Sequence, residues 1–250
     1  MDSNSALIDF KDVWMTYDRK RDYILKDITF SIQKGENYSI IGPSGSGKST
    51  ILKLMNGTLY PFKGAVTVFG QLPDANKRKF RQKMKKIGYM PQNLGLVKNS
   101  TVLENVLLGA LPRTNTWMSL LKVFKDGDTK TAQNAIKMVG LEGKENRKAY
   151  MLSGGEKRRV IIARTLTQKP DLILADEIVS ELDYNTSREI MALMMDTKKK
   201  LGLTAVMIHH DIRLTLEYAD KIMMVRDGQK ICEYDVNETN ESKLLEILKN

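Results

Sequence analysis

One stretch constrains this chain more than any other: Gly42-Pro43-Ser44-Gly45-Ser46-Gly47-Lys48-Ser49-Thr50. It satisfies the spacing G-x-x-x-x-G-K-[ST], and each residue type in it has a physical task. The glycines let the backbone curl until successive N–H groups face phosphate oxygens. A helix beginning behind them adds partial positive charge at the same place. Lys48 would neutralise the β- and γ-phosphates, and the Ser49 hydroxyl would reach Mg²⁺. The flanks agree: Asn37–Ile41 predicts a short strand, Ser49–Asn56 a helix, and Gly57 its stop. The loop therefore predicts a nucleotide-binding α/β fold. It excludes GTPases only with help from the rest of the chain, which has neither an Asn-Lys-x-Asp base reader nor an Asp-x-x-Gly switch.

A second element belongs with the first. Leu172-Ile173-Leu174-Ala175 is an apolar run that suits a strand buried on both faces, and it ends in Asp176-Glu177. Asp176 is then expected at the strand's carboxyl end, organising Mg²⁺ directly or through water. Glu177, one step further, can reach an attacking water as general base. A third element is Leu152-Ser153-Gly154-Gly155-Glu156, which opens the helical stretch Lys157–Leu166. A serine hydroxyl, flexible amides and a helix start make a second anion site, or else a plain serine cap. One nucleotide cannot use both loops within one compact domain. The economical solution is that Ser153, Gly154, Gly155 and Glu156 close over ATP held by another copy, in a head-to-tail pair.

With these three elements in order, the chain resembles the ATP-binding-cassette (ABC) ATPases over nearly its whole length, Leu152–Glu156 matching their signature with glutamate in place of the usual glutamine. The resemblance implies roles for further residues. Tyr17 falls where the family's adenine-stacking aromatic lies. Gln92, in Tyr89-Met90-Pro91-Gln92, matches the glutamine that senses Mg²⁺ and the γ-phosphate. Asp183, in Ser180-Glu181-Leu182-Asp183, matches the loop that crosses the dimer interface. His210 matches the switch histidine, and its neighbour His209 reads as structural. Two departures stand out: Ile178 replaces the usual proline after the catalytic glutamate, and Glu181 replaces a small residue at the dimer seam.

The fold expected is a P-loop NTPase core of the ABC ATPase type with a mixed sheet, an N-terminal antiparallel β subdomain and an inserted helical subdomain. Its bounds are 1–92 and 168–250 for the core and about 93–167 for the helical part carrying the signature. Within it, Ile28, Phe30 and Ile32 alternate as in a half-buried strand. Asp128 reads as a helix cap and Gly140 as that helix's stop. Arg226-Asp227-Gly228-Gln229 reads as a hairpin turn, and Ser242–Leu248 has helical periodicity.

No apolar run approaches the roughly 18 residues that span a bilayer. The polar opening Met1–Ser5 shows no secretory leader, and the lone Cys232 permits no internal disulfide. A membrane task must then run through a partner. The formal charge of +10 is concentrated between Lys77 and Lys86. That stretch reads as a solvated helix face, a face toward anionic lipid or, with no interleaved aromatics, least well as a nucleic-acid site.

The resemblance implies an ATPase using ATP and Mg²⁺, working as a homodimer on transmembrane permease subunits at the cytoplasmic face of the membrane. Thr101–Leu111, followed by Trp117 in a longer insertion, is similar to the ATP-binding subunits of phosphonate-type importers and also fits any importer cassette. A substrate-binding protein would complete such a system, with phosphonate, phosphite or phosphate as cargo. The short stretch after the hairpin argues against maltose-like and methionine-like types. Lipoprotein-release or macrolide-type systems remain an alternative, as does a non-transport ATPase acting on nucleic acid or ribosomes. The latter usually carries a coiled coil or two cassettes, and neither is visible here. A nucleotide kinase would leave Leu152–Glu156 without a task.

Overall fold

The computed structural model describes residues 6–18, 22–72, 78–113, 124 and 126–249, with backbone alone at Arg78 and Lys79. The chain divides into two compact units, residues 1–84 with 203–250 and residues 85–202.

In the first unit, β1 (Ile8–Met15) lies between β2 (Leu25–Ile32) and β4 (Lys63–Val68) in an antiparallel sheet. The alternation along β2 buries Ile28, Phe30 and Ile32 on one face, as period-2 patterning requires. Phe30 stacks on Phe10 at 4.6 Å and on Tyr38 at 5.5 Å, so an aromatic column joins this layer to the strand before the glycine loop. That strand, β3 (Asn37–Ile41), is buried throughout. It pairs in parallel with β7 (Thr204–Ile208) and β8 (Lys221–Arg226), and β9 (Gln229–Asp235) adds an antiparallel edge to β8. The β8–β9 turn has positive φ at both Asp227 (48°) and Gly228 (77°), the type I′ geometry that Asp-Gly favours. α1 (Lys48–Met55) follows the glycine loop, α2 (Arg78–Met84) lies further on, and α7 (Ile212–Tyr218) follows β7. The last helix, α8 (Glu241–Lys249), inserts Leu244 among Ile41, Ile212, Ile222 and Met224.

The second unit pairs β5 (Ile87–Met90) in parallel with β6 (Leu172–Asp176). It holds α3 (Val102–Leu107), α4 (Asp126–Met138), α5 (Gly154–Thr167) and α6 (Tyr184–Leu201), of which α3, α4 and α5 pack on one another. Their starts are legible as caps. Thr101 with Glu104 and Ser153 with Glu156 form complete capping boxes, and Asp183 caps α6 by accepting from the Thr186 N–H. Fully buried Asn105 receives the Val97 N–H and donates to the carbonyls of Val97 and Thr101. The Thr-Val-Leu-Glu-Asn run is thus a structural device that fixes the loop leading into α3.

Some details differ from the sequence reading. α4 begins at Asp126, so Asp128 sits in its first turn, where it meets the helix dipole and pairs with Arg113 at 3.2 Å. Gly140, at φ 71°, does follow the helix end. In the basic stretch, Lys83 donates to the Phe69 carbonyl and Lys86 pairs with Asp171 at 3.5 Å, while Arg81 and Lys85 are exposed. Lys77, Trp117 and Met1–Ser5 lie outside the described residues. Among the described residues, no helix is long and apolar enough to cross a membrane.

Candidate functional site

The first unit carries the phosphate loop between β3 and α1. Gly42 has φ 148°, and a Cβ there would come within 2.0 Å of the Val225 carbonyl oxygen on β8. Gly47 has φ 103°, and its Cβ would lie 2.6 Å from Leu25 Cδ2. The loop is therefore wedged against two neighbouring strands, and only glycine permits the approach. The β8–β9 turn supports it as well: the Gly228 N–H donates to the Ser46 carbonyl at 3.2 Å. The Lys48 ammonium, almost fully buried, lies inside the curl and donates to the carbonyls of Gly42 (2.9 Å) and Pro43 (2.7 Å).

These features fit a polyphosphate. α1 starts with no side-chain cap and no acidic residue in its first turn, so its leading N–H groups are left for an external anion. The buried Ser46 hydroxyl has no hydrogen-bond partner among the described residues. Gly45 faces open space: among the described residues, nothing would lie within 4 Å of a Cβ there. Tyr17 is joined to this loop's helix, its hydroxyl 3.3 Å from Thr50 Oγ1, and the residue is 56% exposed. Pro43, Ser44 and Ser49 complete the loop as the sequence orders them.

At the end of β7 the two histidines separate. His209 is buried, both ring nitrogens without a partner among the described residues, whereas His210 is exposed. Asp211 then caps α7 through the N–H groups of Arg213 and Leu214, which fixes the backbone just past His210. Burial pulls the His209 pKa down to about 4; the nearby Asp211 opposes this and His210 adds to it. His209 is consequently neutral in the fold and protonates more readily when unfolded. Its folded pKa lies below the unfolded value near 6.5, so its contribution is fully present above pH 6.5 and is lost as pH falls through 4. The expected cost at pH 4 is about 3 kcal/mol. Comparing melting temperatures of the wild type and His209→Leu between pH 7 and 4 checks this: the gap should narrow or invert on acidification.

The second unit brings the two carboxylates together with the glutamine. Buried Asp176 ends β6, and its Oδ2 accepts from the Tyr89 hydroxyl at 3.3 Å. Burial, then the Asp176 charge, push the Tyr89 phenol up to about 12, so it stays a donor. Gln92 Nε2 donates to Glu177 Oε2 at 2.9 Å. Glu177 holds a left-handed backbone, φ 51°, which a non-glycine residue adopts only where its surroundings impose it. Tyr89 was visible in the sequence only as a neighbour of Gln92; its contact depends on the pairing of β5 with β6.

The signature segment has its own internal wiring. Ser153 caps α5, and the Glu156 carboxylate accepts from the Ser153 N–H at 2.8 Å and from Lys144 Nζ at 2.6 Å. The Lys144 hydrogen bond, then the Ser153 amide, hold the Glu156 carboxyl below its usual range. In this unit Glu156 therefore works as a brace for Ser153. Asp183 is spent on its cap, and hydrogen bonds from Thr186 likewise lower its pKa. Among the described residues no three His, Cys, Asp or Glu are grouped so as to hold a metal ion by themselves. Mg²⁺ does not need one, because it is commonly bound by one or two carboxylates with phosphate oxygens and waters. Ser49 in the first unit, and Asp176 and Gln92 in the second, each carry side-chain oxygen of the kind it prefers.

Residues 25–180 match the protein family described as ABC transporter. The chain is 39% identical to the "Phosphonates import ATP-binding protein PhnC" of Alcaligenes faecalis, over 83% of this chain and 75% of that protein. It is 36% identical to the "Methionine import ATP-binding protein MetN 2" of Enterococcus faecalis, over 98% of this chain and 67% of that one. Among solved structures, it resembles a dimeric bacterial ABC transporter cassette with a TM-score of 0.76 and 33% identity, covering 92% of this chain and 98% of the other.

Proposed function

Since the chain belongs to the ABC transporter family as an ATP-binding subunit that hydrolyses ATP to drive transport, we propose that it powers an importer of phosphonate-type oxyanions, as a homodimer docked on a membrane permease fed by a binding protein. The observation that carries the cargo class is the 39% identity to the phosphonate import subunit. The methionine import relative is the specific reason to keep a second reading, an amino-acid importer.

In this reading, Gly42–Gly47 and the start of α1 wrap the phosphates, and Lys48 offsets the charge on the β- and γ-groups. Tyr17 presents its exposed ring to the adenine. Ser49 and Asp176 would hold Mg²⁺, with Gln92 as a further ligand, and the ion would supply charge neutralisation on the phosphate oxygens. Glu177 takes a proton from water, whose oxygen attacks the γ-phosphorus while the bond to ADP breaks. Gln92 supports this by orienting the Glu177 carboxylate, and His210 contacts the γ-phosphate. Ser153, Gly154 and Gly155, with Asp183 nearby, cover the nucleotide of the second copy, and Glu156 keeps Ser153 in register. Hydrolysis then removes the bridge between the copies and releases the closed dimer, which moves the permease.

Two measurements test the reading. Specific ATPase activity of the isolated subunit should rise with protein concentration, because each site needs the second copy; a constant rate in a verified monomer would remove the shared site. Purification of the native membrane complex should return a permease and a binding protein that holds phosphonate or phosphate. A methionine-loaded binding protein would transfer the cargo assignment to the second reading.

A further inference from the structure

The segment after Glu177 is held by a residue that neither nucleotide loop contains. Arg158, in the second turn of α5, is 92% buried, being 8% exposed. Its Nε donates to the Ile178 carbonyl at 3.0 Å and its Nη2 to the Ser180 carbonyl at 2.8 Å. One planar guanidinium thus spans two carbonyls of the same short turn, a geometry the single ammonium of lysine does not reproduce. The turn is tight around Glu177: both the N–H and the hydroxyl of Ser180 donate to the Glu177 carbonyl, at 3.0 and 2.8 Å. Glu177 and Glu181, on either side of the clamped residues, both have left-handed backbones, with φ of 51° and 67°. A turn with two such residues needs outside contacts to persist.

The start of α5 presses on the same segment independently. A Cβ on Gly154 would lie 3.0 Å from Leu182 Cδ2, and one on Gly155 would lie 3.0 Å from Thr186 Cγ2. The signature glycines therefore also permit close approach to the turn and the first residues of α6. Helix start, clamp and turn form one continuous contact from Ser153 to the Glu177 backbone.

We propose that Arg158 is a positioning residue that locks the 178–182 turn to the signature helix, so that the Ser153–Gly155 segment and the Glu177 carboxylate of one subunit move as a single body. The consequence, which rests on reading Glu177 as the base and Ser153–Gly155 as the contact to the second copy's nucleotide, is a mechanical link between the two nucleotides of a dimer. A nucleotide gripped by one subunit's signature segment would set the position of that same subunit's base, which serves the other nucleotide.

The test uses the full-length subunit with Arg158→Lys, which keeps the charge, and Arg158→Gln, should the first fail to fold. Amide hydrogen exchange at residues 178–182 and steady-state ATPase kinetics are read together. Losing one of two charge-assisted bonds is expected to speed exchange at Ser180 and Leu182 about tenfold and to lower kcat about tenfold, with KM for ATP within about twofold. The neighbouring Arg159→Lys, whose guanidinium donates to the Val139 carbonyl instead, should leave exchange at 178–182 unchanged. Unchanged exchange in both Arg158 variants, unchanged kcat, or an equal response to Arg159→Lys would overturn the clamp. A failure of the base assignment is separable: Glu177→Gln would then retain turnover while the Arg158 variants still loosened the turn.

Discussion

Replacing Glu177 with glutamine is expected to leave ATP binding intact and to remove hydrolysis by a factor of about 10²–10⁴, the range that a positioned general base contributes. The geometry gives this substitution unusual clarity. The carboxylate accepts from Gln92 Nε2 at 2.9 Å. An amide is nearly isosteric and can still accept from Gln92, so the fold should be untouched. What it loses is proton affinity. With the cleavage step blocked, the ATP-bridged dimer should accumulate, and size-exclusion chromatography with ATP should show a species of twice the mass. Turnover within a few-fold of wild type would remove Glu177 from the reaction.

Gly42→Ala should act through structure before chemistry. The added methyl would occupy the place of the Val225 carbonyl oxygen, 2.0 Å away, and the residue would be forced to keep φ near 148°. Neither backbone can yield cheaply, because β3 and β8 are hydrogen-bonded neighbours. A loss of several kcal/mol in stability is expected, with ATP affinity reduced about 100-fold or more as the loop shifts. Gly45→Ala is the natural comparison. Its methyl would meet nothing within 4 Å, so only the strain of φ 81° remains, about 1–2 kcal/mol. Melting temperatures and nucleotide titrations of the two variants should therefore differ widely. Equal effects would show that the approach to Val225 does not shape the loop.

The gap between these two glycines shows what the sequence could and could not disclose. Both occupy the loop motif, and a motif gives them equal rank. Only the packing of β8 against the loop separates a glycine that is wedged from one that faces space. The same holds for the histidines. Adjacency alone makes His209 and His210 equivalent in chemistry, and spacing with family resemblance favoured His210 as the reactive one. In burial the two differ: His209 is enclosed, its ring nitrogens without a partner among the described residues, and His210 is open. The Asp-Gly hairpin was legible from its dipeptide, but its service to the phosphate loop, through Gly228 and Ser46, joins residues about 180 positions apart.

By itself the sequence determined the local chemistry: the phosphate loop, the strand ending in Asp176 and Glu177, the capped signature helix, the hairpin, and through their order the family. Those features obey short-range rules of turn conformation, capping and hydrophobic period, which act within a few residues. The tertiary structure decided which groups hold those features in place: Tyr89 against Asp176, Lys144 against Glu156, Val225 against Gly42, and Arg158 across the turn that follows Glu177. These partners come from other strands and helices, and long-range packing carries no signal in local spacing. The glycine loop remains the most constraining stretch of the chain, and its shape is set by the strands pressed against it.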